Sequence, residues 1–177
     1  MNSGPCASWR IFFRNFPGMK SGSAYSQQKF PGGPAPLVPL EGTNAQMLEL
    51  WHGPTCAFKD MALQLLPHLL TRSLKKIGSK KTAVILVATS GDTGKAALEG
   101  FRDVAGTRIL VFYPENGVSP MQKRQMTTQE GGNVGVCAIK GNFDDAQTGV
   151  KKIFIDPATK DALDKKGMLF SSANSIN

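Results

Sequence analysis

From Thr82 onward the chain alternates short apolar runs with amphipathic stretches. This alternation restricts the possible folds more than any other feature of the sequence. Residues 82–88 form a continuous β-branched and apolar run, the pattern of a strand buried on both faces. A loop over 89–94, with two glycines three apart, leads into a helix expected over 95–103. A second strand is predicted over 108–113. Ser119-Pro120 marks a helix start, with Ser as N-cap and Pro at the first helical position. That helix should run to about residue 130 and stop at Gly131-Gly132. A third strand is predicted over 134–139, then a helix capped by Asn142 or Asp144 and running to about residue 155. Asp156-Pro157 begins one more helix, which Gly167 ends, and Met168-Leu169-Phe170 opens a last strand leading into 171–177. Strands alternating with helices of about 10–15 residues imply right-handed crossovers and a parallel sheet. The fold class is therefore α/β, and ligands on such sheets bind at the carboxyl ends of strands.

Before Thr82 the pattern is looser. Residues 1–36 mix Gly, Pro, Ser and Gln with one aromatic cluster, Trp9-Arg10-Ile11-Phe12-Phe13, and sustain no helix or strand period. They are expected to be a disordered or atypical leader, with 31–36 as a linker and a domain from residue 37. Leu37-Val38-Pro39-Leu40 is a short extended segment, and 47–51 alternates as a strand does. Leucines at 63, 65, 66, 69, 70 and 74 form a wide helical face, which Pro67 should kink or divide in two.

Composition excludes several classes. Hydrophobic residues make up 41% of the 177, enough for a sizeable core, and no apolar run approaches the roughly 20 residues of a membrane span. Residues 1–40 carry four of the 21 basic residues and none of the 13 acidic ones, so they hold half of the net charge of +8. That acid-free start faintly resembles a transit peptide, but a cytoplasmic location is the expectation. The remaining basic residues are spread along the chain without interleaved aromatics, which argues against a nucleic-acid surface. Three cysteines and two histidines give no metal-ligand spacing, and the cysteines are read as reduced thiols.

Three stretches could carry chemistry. The first is 50–60, Leu-Trp-His-Gly-Pro-Thr-Cys-Ala-Phe-Lys-Asp, in which a rigid turn delivers Lys59 to the start of a helix. An amine attacks a carbonyl only when neutral, so a Schiff-base lysine needs surroundings that disfavour the ammonium. A helix start does so, and burial among Phe58, Met61 and Trp51 would add to it. The competing reading is a surface lysine at a helix start. The second stretch, Thr89-Ser90-Gly91-Asp92-Thr93-Gly94-Lys95, can converge backbone N–H groups on an anion at a helix N-terminus, with Ser90 and Thr93 adding hydroxyl donors. It lacks the spacing and the Ser/Thr of a Walker A loop, and Asp92-Thr93-Gly94 joins a strand to a helix rather than sitting on a β-lobe. An ordinary βα turn remains the alternative. The third stretch, 171–177, offers Ser172, Asn174, Ser175 and Asn177, which could bind a phosphate or merely cap a helix. Gly141-Asn142-Phe143-Asp144 reads as a helix start, His52 and His68 as structural, and Cys56 as a small packing residue.

The strings Leu48-Glu49-Leu50-Trp51-His52-Gly53-Pro54-Thr55 into Phe58-Lys59-Asp60, Ala88-Thr89-Ser90-Gly91-Asp92-Thr93-Gly94, Phe112-Tyr113-Pro114 with Gln122-Lys123-Arg124-Gln125-Met126, and Ser171-Ser172-Ala173-Asn174-Ser175-Ile176-Asn177 resemble those of the threonine synthase family. The resemblance covers roughly residues 37–177 in four ordered motifs. It implies an α/β enzyme of pyridoxal-phosphate fold type II, related to the tryptophan synthase β chain, with a parallel three-layer βαβ sheet incomplete at both ends. It implies conversion of O-phospho-L-homoserine and water to L-threonine and phosphate, with pyridoxal 5'-phosphate as cofactor. By matching position Lys59 would be the cofactor-bound lysine. Ser90, Gly91, Asp92 and Thr93 would hold the substrate carboxylate, and Thr93, Asn174, Ser175 and Asn177 would face the substrate phosphate. Family members are longer, with further phosphate-binding motifs after the asparagine motif. The resemblance therefore also implies a partial domain over 37–177 that binds cofactor weakly and is inactive alone. The alternative is a catalytically incompetent paralogue that binds phosphate or a partner.

Overall fold

A computed structural model describes residues 21–173. Asn174, Ser175 and Asn177 lie outside the described residues. A short helix α1 (Ser21–Ala24) precedes an antiparallel hairpin, β1 (Leu37–Pro39) and β2 (Gln46–Leu48). The helical face expected after Lys59 is two helices, α2 (Asp60–Leu63) and α3 (Leu66–Lys76), with Pro67 in the first turn of the second. The chain divides just before the proline because the ring has no N–H for a helix interior but costs nothing in a first turn. The α/β units then follow as β3 (Thr82–Ala88), α4 (Asp92–Phe101), β4 (Thr107–Pro114), α5 (Pro120–Thr127), β5 (Val134–Ile139), α6 (Phe143–Ile155), α7 (Pro157–Lys165) and β6 (Met168–Ser172).

The last four strands make one parallel sheet in the order β5-β4-β3-β6. Alternation along β3 divides the core. Ala83, Ile85 and Val87 meet Leu63 and Ala96, Ala97, Leu98 and Phe101 on one face, where the partly buried Leu66, Leu70 and Leu74 of α3 also lie. Val84, Leu86 and Ala88 meet Ala146 and Val150 of α6 on the other. Helices α4 and α5 thus cover one face as the chain steps outward from β3 to β5. The α6–α7 crossover covers the opposite face and returns the chain to the far side of β3. Strand order reverses between β3 and β6, so their carboxyl ends flank the crevice in which doubly wound sheets hold ligands.

Several local expectations differ from the structure. Helix α4 begins at Asp92, three residues earlier than the periodicity suggests, because Gly91 takes a φ of 144° and turns the chain directly off the strand. Helix α5 ends at Thr127, short of residue 130. The strand expected over 47–51 stops at Leu48, is exposed throughout and pairs with β1, so the 50–60 stretch does not follow a strand of the parallel sheet. Within the leader composition, the segment from residue 24 is packed: Ala24 and Phe30 are buried, and the Tyr25 hydroxyl donates to the Met61 carbonyl at 2.6 Å. Lys29 Nζ donates to Gln64 Oε1 at 2.7 Å, fastening the same segment to the turn between α2 and α3.

Candidate active site

The Lys59 turn is built around a buried carboxylate. Asp60, fully buried, accepts from the Thr55 N–H at 2.8 Å and from the Thr55 hydroxyl at 2.7 Å, with the Ala57 N–H at 3.5 Å. A buried carboxylate is tolerated only when its lone pairs are filled, and this turn fills them. Gly53 packs against it so closely that a Cβ there would lie 2.5 Å from Asp60 Oδ2. Lys59 itself is half-buried at the N-cap of α2, in right-handed helical geometry. Its ammonium lies 4.9 Å from the centre of the Phe58 ring. The apolar burial expected around it is absent on two sides, because Trp51 and Phe58 are 51% and 55% exposed. Cys56 is exposed as well, at a φ of 55°, and does not pack in the core.

The 89–94 loop is held by Thr89, which is buried and accepts from the Gly91 and Gly94 N–H groups, each at 2.9 Å. Gly94 is obligatory: a Cβ would sit 2.4 Å from Thr89 Cγ2. Helix geometry leaves the first N–H groups of α4 without intrahelical partners. That of Gly94 is spent on Thr89, while the Lys95 N–H closes the first helical turn on the Gly91 carbonyl at 3.3 Å. Those of Asp92 and Thr93 remain as donors at the positive end of the helix. Ser90, two residues before the helix, is exposed, and Thr93, in its first turn, is half-buried.

Asp92 is tied down in the first turn of α4. Gln122 Nε2 donates to its Oδ1 at 2.9 Å, and Lys95 Nζ, on a nearly buried side chain, lies 3.2 Å from the same oxygen. The Gln122 bond, followed by Lys95 and the charge of Lys59, holds the Asp92 carboxyl below the usual carboxylate range. Helix α2, which Lys59 immediately precedes, packs against α4. Ser172 ends β6 beside β3, on the same edge of the sheet. The Asn142 turn is a helix cap after β5, two strands away from β3.

The sequence and the fold resemble those of known proteins. A threonine synthase from Pseudomonas aeruginosa is 50% identical over 81% of the chain. By sequence and fold, the chain is a threonine synthase homologue. The human protein called threonine synthase-like 1 is 43% identical, also over 81%. The PLP-bound threonine synthase of Brucella melitensis superposes with a TM-score of 0.70 at 46% identity, covering 81% of this chain and 29% of that one. Yeast threonine synthase gives a TM-score of 0.74 at 36% identity over 88% of this chain and 31% of that one. No family profile matches the chain. The chain spans 29% of the length of the Pseudomonas relative and 20% of the human one. The α/β sheet is that of the PLP fold-type II enzymes.

Two features of the site escaped sequence reasoning. The Thr55–Asp60 pair was visible only as two letters of a motif, since nothing in the string shows that one side chain receives both donors of the other. Gln122 was likewise visible only within a motif, although S-x-x-Q at 119–122 is a capping-box signature that places its amide beside the helix start.

Proposed function

We propose that the chain provides the lysine-bearing part of a PLP-dependent threonine synthase site, converting O-phospho-L-homoserine and water to L-threonine and phosphate. What supports this reading is the packing of α2, which follows Lys59, against α4, which opens in the 89–94 loop, in a fold shared with a PLP-bound threonine synthase. The donor set fits the group: Lys59 offers a half-buried amine for an aldehyde, and the first turn of α4 offers N–H groups for an anion. When bound, pyridoxal phosphate supplies an electron sink for charge that develops on the substrate.

The protein's own residues then have distinct tasks. Lys59 Nζ anchors the aldehyde and, once free, carries protons to and from the substrate carbons, an amine and ammonium cycling in one place. The Asp92 and Thr93 N–H groups with the Ser90 and Thr93 hydroxyls receive the substrate carboxylate. Gly91 and Gly94 keep the backbone close enough to do this. Asp92, tied to Gln122 and Lys95, balances the local positive charge and fixes the first turn. Asn174, Ser175 and Asn177, following β6, are proposed to receive the substrate phosphate together with Thr93. The Michaelis site is thus assembled at the switch point between β3 and β6. Incubation with pyridoxal phosphate followed by borohydride, with peptide mapping, tests the reading: label concentrated on Lys59 supports it, and label spread over surface lysines contradicts it.

A further inference from the structure

Thr55 and Asp60 flank Lys59 in sequence and are joined to each other across it. Both are buried, and the Asp60 carboxylate receives the main-chain and side-chain donors of Thr55 at 2.8 and 2.7 Å. The loop closed by these bonds contains Cys56, Ala57, Phe58 and Lys59, and nothing longer. Cys56 is held in left-handed geometry within it, and its N–H bonds the Gly53 carbonyl at 3.1 Å. Gly53 leaves no room for a side chain against Asp60. The backbone of Lys59 therefore cannot move without breaking a charge-assisted bond to a buried carboxylate, which would leave buried polar groups unpaired.

The Lys59 side chain has less support of its own. It is half-buried, with Phe58 exposed beside it. A long flexible side chain in such a place gains precision only from its backbone. We infer that Thr55 and Asp60 are positioning residues, a clamp that fixes the backbone from which the Lys59 amine is presented. The inference rests on the reading of Lys59 as the reactive amine. Its chemical content is separate: the clamp fixes the amine for any small carbonyl compound, with or without the phosphate of the cofactor.

The test uses the full chain and three variants. Thr55→Val keeps the shape and the main-chain bond but removes the hydroxyl donor. Asp60→Asn removes one of the two acceptors, and Thr55→Ser restores both donors. Each protein is treated with pyridoxal phosphate and borohydride, and separately with formaldehyde and cyanoborohydride across a pH series. Modification is read at every lysine by peptide mapping, with exposed Lys81 as internal reference. The clamp predicts that Thr55→Val and Asp60→Asn lower the Lys59-to-Lys81 ratio by roughly tenfold to a hundredfold and shift the Lys59 pH profile. Thr55→Ser should match the parent. An aldehyde profile that shifts in the variants supports the clamp even if pyridoxal phosphate fails to select Lys59, in which case only the cofactor reading falls. Lys59 ratios and profiles unchanged in folded Thr55→Val overturn the clamp, whatever Asp60→Asn does.

Discussion

Gln122 Nε2 donates to Asp92 Oδ1 at 2.9 Å, joining the first turn of α4 to the capping box of α5. The other end of the same amide accepts from the Ser119 N–H at 3.1 Å, so Gln122 cannot turn away without undoing a helix start. The Gln122 bond is the largest influence holding the Asp92 carboxyl down. Gln122→Ala should therefore move the Asp92 titration upward, toward the ordinary value of 3.8. Carboxyl-carbon NMR titration of parent and variant checks this, and an unmoved Asp92 would show that Lys95 and Lys59 suffice.

The depressed Asp92 carboxyl has a stability consequence with a definite sign. A folded-state value below the unfolded one stabilises the protein above the unfolded value of 3.8, and the gain is lost as pH falls through the folded value. Denaturant midpoints of parent and Asp92→Asn should differ near neutral pH and converge well below 3.8. The Asp92 side chain is 46% exposed, so added salt should shrink the difference.

Gly100 on α4 faces the turn between α2 and α3, where a Cβ would lie 2.1 Å from the Leu63 carbonyl oxygen. That neighbour is backbone and cannot rotate aside. Gly100→Ala should push α2 away from α4 and destabilise the fold by about 1–3 kcal/mol. The same displacement acts on Lys59, one residue before α2. Chemical denaturation measures the first effect, and the yield of Lys59 modification measures the second.

The segment before β1 should matter for stability. Phe30 is 1% exposed and meets Tyr25 edge-on at 5.6 Å between ring centres. Phe30→Ala should cost about 3–5 kcal/mol, measurable as a fall in denaturant midpoint. An unchanged midpoint would mean that residues 21–36 add nothing to the domain.

The contrast between these regions shows what the sequence made legible. From Thr82 on, the apolar runs are strands of a buried parallel sheet, and such runs announce themselves because both faces are apolar. Ser119-Pro120, Asn142 and Asp156-Pro157 start their helices as their cap chemistry predicts. Residues 24–30 were not legible, because two buried side chains, Ala24 and Phe30, carry no periodicity in a Gly-, Pro- and Gln-rich setting. Trp51 and Phe58 misled in the opposite direction: residue type suggested burial, but no described element covers them. The packing of α2, which follows Lys59, against α4 is a tertiary contact, and the periodicity of neither segment announces it.

Site-resolved trapping of pyridoxal phosphate on the parent chain and on Lys59→Ala tests the role of Lys59 directly. A pyridoxyl group should be reduced onto Lys59 in the parent, at well above the level on exposed lysines such as Lys81, and no comparably selective site should appear in Lys59→Ala. Equal labelling of Lys59 and Lys81, or selective labelling of another lysine in both proteins, would contradict it.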